Sequence, residues 1–253
     1  ASRPMRDGVI ADYAVTEAML RYFIQKVCGR VFLFKPEVML CVPAGVTQVE
    51  RRAVLDASLS AGARIAYLID EPLAAAIGAK IPIAAPSGNM IIDIGGGSAE
   101  AAVISLGGVV VHKSVRVAGN KIDEAIMTYL RRKYNLLIGE TTAEAIKIKI
   151  GSATILDKPE EAEVKGRDNV TGLPRAMRIS STEITEAIRP VLMQIISAAK
   201  GVLEETPPEL ASDIIDKGIV MSGGTSTLLN LDKLMTELTG VPCHVAEEAM
   251  LCV

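Results

Sequence analysis

Two apolar runs, Met90 to Ile94 and Glu100 to Leu106, are joined by a stretch too short to cross a sheet: Gly95-Gly96-Gly97-Ser98, preceded by Asp93. Parallel neighbours need a crossover of about a dozen residues or more, so these two strands must be antiparallel. A third strand, VVVHKSVRV, follows Gly107-Gly108 and completes a meander. Glycines explain a tight turn but account for neither Asp93 nor Ser98. They also permit positive φ and leave backbone N–H groups unobstructed, so such a hairpin can wrap an anion, with the Ser98 hydroxyl as a further donor. A carboxylate at the strand end, Asp93, can hold hydrated magnesium. A phosphate-holding loop and a plain glycine turn both remain open at this point.

Around the meander the chain alternates strands and helices. Val15, Met19, Leu20, Phe23 and Ile24 repeat at helical spacing from Asp12 to Lys26, with Asp12 or Thr16 as cap. EVMLCVPAG reads as a buried strand stopped by Pro43 and Gly45. TQVERRAVLDASLSAG then reads as a helix opened by a Thr47–Glu50 capping box. RIAYLID is a short strand, and EPLAAAIGAK a helix starting at Pro72. Residues 81–89, with Pro82, Pro86, Ser87 and Gly88, read as a connection between lobes. After Gly119 come two helices and a hairpin-like pair around Thr171-Gly172, forming a small appended unit. A long helix, Ser181 to Leu203, then leads to a strand, glycine turn, helix and final strand.

Composition narrows the function classes. Hydrophobic residues make up 49% and charged residues 23% of the 253, a globular balance with room for a large core in one or two domains. A net charge of -3 supplies no general attraction to phosphodiester chains, so no nucleic-acid partner is expected. Cys28, Cys41, Cys243 and Cys252 form no C-x-x-C pair, and only His112 and His244 could complete a zinc site, which argues against one. Unpatterned thiols fit a reducing cytoplasm. No apolar run approaches the roughly 20 residues of a membrane-spanning helix.

Three more segments carry possible chemistry. Glu71, at a strand tip before a proline-started helix, can orient a water for attack on phosphorus, or with Asp70 simply complement the helix N-terminus. Ser222, Gly223, Gly224 and Thr225 form a strand-to-helix turn that lets a flat group such as adenine approach, or an ordinary connection. Glu144 and Lys147 share a helix face and can grip ribose hydroxyls, or pair with each other.

The order of these motifs resembles the nucleotide-binding half of the actin, Hsp70 and sugar-kinase superfamily. RPMRDGVIADYAVTEAML, VERRAV, EPLAAAIGA, NMIIDIGGGSAEAAVISLGG, KYNLLIGE, EVKGRDNVTGLP and LLNLDKLM are similar to the bacterial actin family MreB, and the resemblance covers essentially the whole chain. It implies an α/β, actin-like (ribonuclease H-like) ATPase fold, mixed sheets flanked by helices, with two lobes around a nucleotide cleft. Residues 1–80 would be part of subdomain IA, 81–138 the first part of IIA, 139–185 IIB and 186–253 the second part of IIA.

The resemblance places catalysis on Glu71 and Ser98, and ATP or ADP on Gly95, Gly96, Gly97, Ser98, Glu144, Lys147, Ser222, Gly223, Gly224 and Thr225. It places Mg2+ at Asp93. Ser98 stands where the family usually has threonine, and Thr225 where it has a third glycine, which narrows the adenine side. In GRVFLFKPE, the apolar Phe32, Leu33 and Phe34 beside Arg30 and Lys35 match a loop that dips into the membrane; a short core strand or packed loop is the alternative.

The implied role is a rod-shape-determining cytoskeletal ATPase that polymerises head to tail and guides cell-wall synthesis. It would lie in the cytoplasm on the inner face of the plasma membrane, with elongation proteins such as RodZ, MreC and MreD as partners. No equivalent of the family's first phosphate hairpin, Asp-Leu-Gly-Thr, precedes Arg3, so weak nucleotide binding is expected of the isolated chain, whether a fragment or a shortened homologue. The alternatives are a nucleotide-deficient interaction module and a small-molecule kinase of the same superfamily.

Overall fold

The structure, a computed structural model, describes residues 5–6, 9–10, 12–29 and 35–253. β1 (Met5–Arg6) and β2 (Val9–Ile10) pair antiparallel ahead of α1 (Tyr13–Cys28). Of the two candidate caps for α1, Asp12 serves, accepting the Val15 N–H at 3.0 Å. β3 (Glu37–Val42), α2 (Gln48–Ser60), β4 (Ile65–Asp70) and α3 (Glu71–Gly78) follow, with β3 and β4 paired in parallel. The Thr47–Glu50 capping box of α2 is formed in both directions.

The meander is β5 (Asn89–Ile94), β6 (Ala99–Ser105) and β7 (Gly108–Val115), antiparallel throughout. Next come α4 (Gly119–Tyr134), β8 (Leu136–Leu137), α5 (Glu140–Ile150), β9 (Glu161–Asp168) and β10 (Pro174–Ser180). The chain continues through α6 (Ser181–Glu205), α7 (Pro208–Lys217), β11 (Ile219–Ser222), a 3₁₀ turn at Gly224–Thr227, α8 (Leu231–Thr239) and β12 (Cys243–Val245).

One mixed sheet organises the molecule, in the order β12-β11-β5-β6-β7, with β11 parallel to both β12 and β5. Its central strands are buried on both faces. Met90, Ile92, Ile94 and Val103 point into the main core against Ile122 and Ile126 of α4 and Ile188 and Leu192 of α6, whereas Ile91 and Ile104 meet Ala75 and Ala76 of α3. β8 joins the β9–β10 hairpin as a third strand, which the sequence reading lacked.

One expectation changes. β3 is not buried: among its residues only Val42 is enclosed and Met39 is 65% exposed, because no third strand joins β3 and β4 among the described residues. The connection at 81–89 is fastened, since Asp213 accepts the Gly88 N–H at 2.7 Å and Lys217 donates to Ser87 Oγ at 2.6 Å, both from α7.

The start of α6 is bound to α4 through Glu183. This carboxylate closes a capping box with Ser180, accepts from Lys133 at 2.8 Å and from the Tyr134 hydroxyl, and is held down at about 2 by those donors against the opposing effect of burial. Glu183→Ala is expected to cost about 1–2 kcal/mol in urea unfolding at neutral pH, the scale of a lost cap. A depressed carboxyl stabilises above its unfolded pKa, so the difference between variant and parent must shrink as pH falls below the ordinary carboxylate range.

Candidate functional site

Four polar residues stand in one row across adjacent strands. Ser222 of β11 is opposite Asp93 of β5, Asp93 opposite Glu100 of β6, and Glu100 opposite Ser114 of β7. Each serine satisfies the carboxylate beside it: Ser222 Oγ donates to Asp93 Oδ1 at 2.7 Å and Ser114 Oγ to Glu100 Oε1 at 2.9 Å. Ser222 is fully enclosed, Glu100 is 1% exposed and Asp93 6%. The row lies on the sheet face that meets α3, whose first residue is Glu71.

Two carboxylates directly opposite each other repel, and burial sharpens the effect. Asp93 is pushed up by burial, with its Ser222 hydrogen bond opposing. Glu100 is also raised by burial, partly offset by the Ala44 N–H, which it accepts at 3.0 Å from the turn after β3, and by Ser114. Glu71 reaches about 7, through burial first and then the charges of Glu100 and Asp93; its Oε2 is buried with no hydrogen-bond partner among the described residues. Sequence reasoning overlooked Glu100. Its signal was a lone acid in the mostly apolar strand AEAAVIS.

The glycine hairpin sits at the end of this row. Gly95 N–H is consumed by the turn itself, donating to Ser98 O at 3.0 Å, so it is not among the open donors expected. The next amides, those of Gly96, Gly97 and Ser98, find no acceptor among the described residues. None of the three glycines has positive φ, and a Cβ on Gly95 or Gly96 would meet its nearest atom at an ordinary 3.5 Å. Neither backbone conformation nor neighbouring protein therefore demands glycine at positions 95 and 96. The missing side chains keep the amide edge accessible.

On the other side of the hairpin, a recess of about 340 Å³ opens between α5 and the 3₁₀ turn, lined by Lys147, Gly151, Glu160, Gly224, Thr225 and Leu228. That volume is in the range of small-molecule sites, about 300–1,000 Å³. Lys147 pairs with Asp123 of α4 at 2.9 Å, and Glu144 is exposed and outside the recess lining. Ser222 belongs to the acid row instead. A second recess of about 200 Å³ touches Ser98, Pro43, Gly45, His112 and Arg116. A larger groove of about 700 Å³, between α4 and α6, includes none of these carboxylates or hairpin residues.

Phe32, Leu33 and Phe34 lie outside the described residues. Among the described residues no cluster of three or more His, Cys, Asp or Glu is arranged to hold a metal by itself, and no helix is long and apolar enough to cross a membrane.

The sequence matches the family model for MreB/Mbl protein over residues 1–253. Cell shape-determining protein MreB of Escherichia coli (strain K12) is 53% identical over 254 residues, a match covering 100% of this chain and 73% of that protein. Cell shape-determining protein Mbl of Bacillus subtilis (strain 168) is 48% identical over 253 residues, covering 100% of this chain and 76% of that one. Among solved structures, MreB5 of Spiroplasma citri bound to ADP superposes with a TM-score of 0.94 at 38% identity, covering 100% of this chain and 76% of that chain. A MamK double helical filament superposes at 0.81 with 20% identity, covering 99% and 77%, which speaks to the actin-like fold alone.

Proposed function

Because this chain belongs to the MreB/Mbl protein family, we propose that it is a cell-shape-determining, actin-like cytoskeletal protein that binds and hydrolyses ATP and assembles into filaments guiding wall synthesis. The observation that carries the nucleotide reading is the run of three open amides, Gly96 to Ser98, at the mouth of a buried acid row. Such a run suits phosphate oxygens, which accept charge-assisted hydrogen bonds. A solved relative, MreB5, holds ADP.

The acid row fits a divalent cation. Mg2+ is commonly held by one or two carboxylates together with substrate phosphates, and Asp93 is the carboxylate at the hairpin. When bound, Mg2+ supplies charge neutralisation on the phosphates. The chain's own residues do the rest: the amides of Gly96, Gly97 and Ser98 bind and orient the phosphate tail, and the Ser98 hydroxyl adds a donor. Lys147 and the 340 Å³ recess receive the nucleoside. Glu71, with a free oxygen and an ordinary proton affinity replaced by one near neutrality, orients the attacking water and takes its proton.

The subdomain limits given above, membrane contact through Phe32, Leu33 and Phe34 at the inner face, cytoplasmic placement, and RodZ, MreC and MreD as partners complete this proposal. Family membership supports them. Sedimentation and electron microscopy with Mg-ATP, with and without anionic vesicles, test the role. Filaments that appear with nucleotide are the expected result, and their absence from the parent protein under both conditions would overturn it.

A further inference from the structure

Three hydroxyl side chains follow one another in the 3₁₀ turn, and they behave differently. Ser226 Oγ and Thr227 Oγ1 fold back onto carbonyls of their own turn, Gly223 at 2.6 Å and Gly224 at 2.7 Å. Thr225 Oγ1 instead donates to the carbonyl of Gly95, 130 residues away, at 2.7 Å. The side chain is mostly enclosed, with Thr225 8% exposed.

The bond matters because of what Gly95 is attached to. A peptide unit is planar and trans, so a carbonyl pinned on one side aims the following N–H to the opposite side. Gly95 O takes both Thr225 Oγ1 and the Gly119 N–H, the latter at 3.2 Å, and Gly96 O takes the Asn120 N–H at 2.8 Å. The two pinned carbonyls therefore turn the N–H groups of Gly96 and Gly97 away from α4, and those are amides left open for a ligand. Gly119 keeps the space for this arrangement, since a Cβ there would come within 2.6 Å of Thr225 Oγ1.

We propose that Thr225 is a positioning residue for the phosphates of a nucleoside di- or triphosphate, tying the base-side turn to the phosphate hairpin so that its amides are aimed before the ligand arrives. This rests on the nucleotide reading above. The hydroxyl touches the hairpin through a carbonyl, so its effect reaches the ligand through Gly96 and Gly97. It also makes occupation of the base recess and orientation of the hairpin parts of one bonded unit, because Thr225 lines that recess.

The test is displacement of a fluorescent ADP analogue by AMP, ADP and ATP from the full chain, from Thr225→Val, which keeps the shape and loses the donor, and from Thr225→Ser, which keeps the donor. In the valine variant the ADP and ATP dissociation constants are expected to rise about three- to tenfold, the scale of one net hydrogen bond. The AMP constant should stay in place, and serine should restore the parent values. A merely structural role would weaken all three ligands together, and that result, or no change in any, overturns the inference. Should the valine variant fail to fold, Thr225→Ala, which also lacks the donor, is read by the change in its ADP affinity relative to its AMP affinity. If the parent chain binds none of the three, the nucleotide reading falls and takes this inference with it; binding with an unchanged phosphate dependence removes the inference alone.

Discussion

Glu71→Gln is expected to slow ATP turnover by about 10²- to 10⁴-fold, the usual contribution of a positioned base, while ADP affinity stays close to that of the parent. Glutamine preserves the shape of the side chain and cannot take a proton from water. A fall in kcat with binding unchanged identifies an interaction made only in the transition state. A base works when deprotonated, and Glu71 is pushed up to about 7, so kcat/KM of the parent should rise as pH increases through that value.

The same substitution has a consequence for stability that requires no turnover. Glu71 is raised from 4.5 to about 7 in the folded chain, chiefly by burial. A group whose folded pKa is raised contributes stability that is fully present below its unfolded pKa and is lost as pH climbs through the folded value. A difference of that size corresponds to about 3 kcal/mol lost between acidic pH and pH above 7. Glu71→Gln carries no such charge, so in urea unfolding it should gain on the parent by up to about 3 kcal/mol at pH 8 and by almost nothing at pH 4. Parallel pH curves for the two proteins would show that Glu71 is not the buried, unpartnered acid described.

Gly223→Ala has the next largest expected effect, a loss of about 2–5 kcal/mol together with loss of nucleotide binding. Gly223 has φ 85° and ψ 157°, a region in which side chains are strained. A Cβ there would lie 2.4 Å from Ile94 O and 2.6 Å from its carbonyl carbon. Ile94 is the last residue of β5, next to Asp93, so relief of the clash displaces the acid row and hairpin together. The adjacent Gly224 provides the control for stability: its Cβ would meet only Met250 Cγ, at 4.0 Å, and Gly224→Ala should leave stability near the parent. Equal effects from the two alanines would refute this account.

The elements legible in the sequence were those fixed by local chemistry. The meander followed from connectors too short for a crossover, and the α2 start from Thr47 and Glu50 in reciprocal reach. α7 was missed although Leu210 and Ile214 face the core at helical spacing, and two-residue β8 exists through pairing with β9 rather than through its own sequence. An apolar run like EVMLCV shows that a strand forms but not which of its faces another layer covers. The site was legible to the same extent. Glu71, Asp93 and the glycines announced themselves, whereas the partners that define them are distant in the chain: Asp123 for Lys147, Ser222 for Asp93 and Gly95 for Thr225. Polar pairing across 24 or 129 residues leaves no periodic trace.

The serine-flanked carboxylates also act as an alignment key for folding. Neighbouring residues of a strand point to opposite sides, so a slip of one position along β5 or β6 would drive Asp93 or Glu100 in among Ile92, Ile94, Val103 and the side chains of α4. That mispaired sheet would bury naked acid in hydrocarbon. The buried acid row thus also rejects the nearest wrong pairing of the strands that carry it.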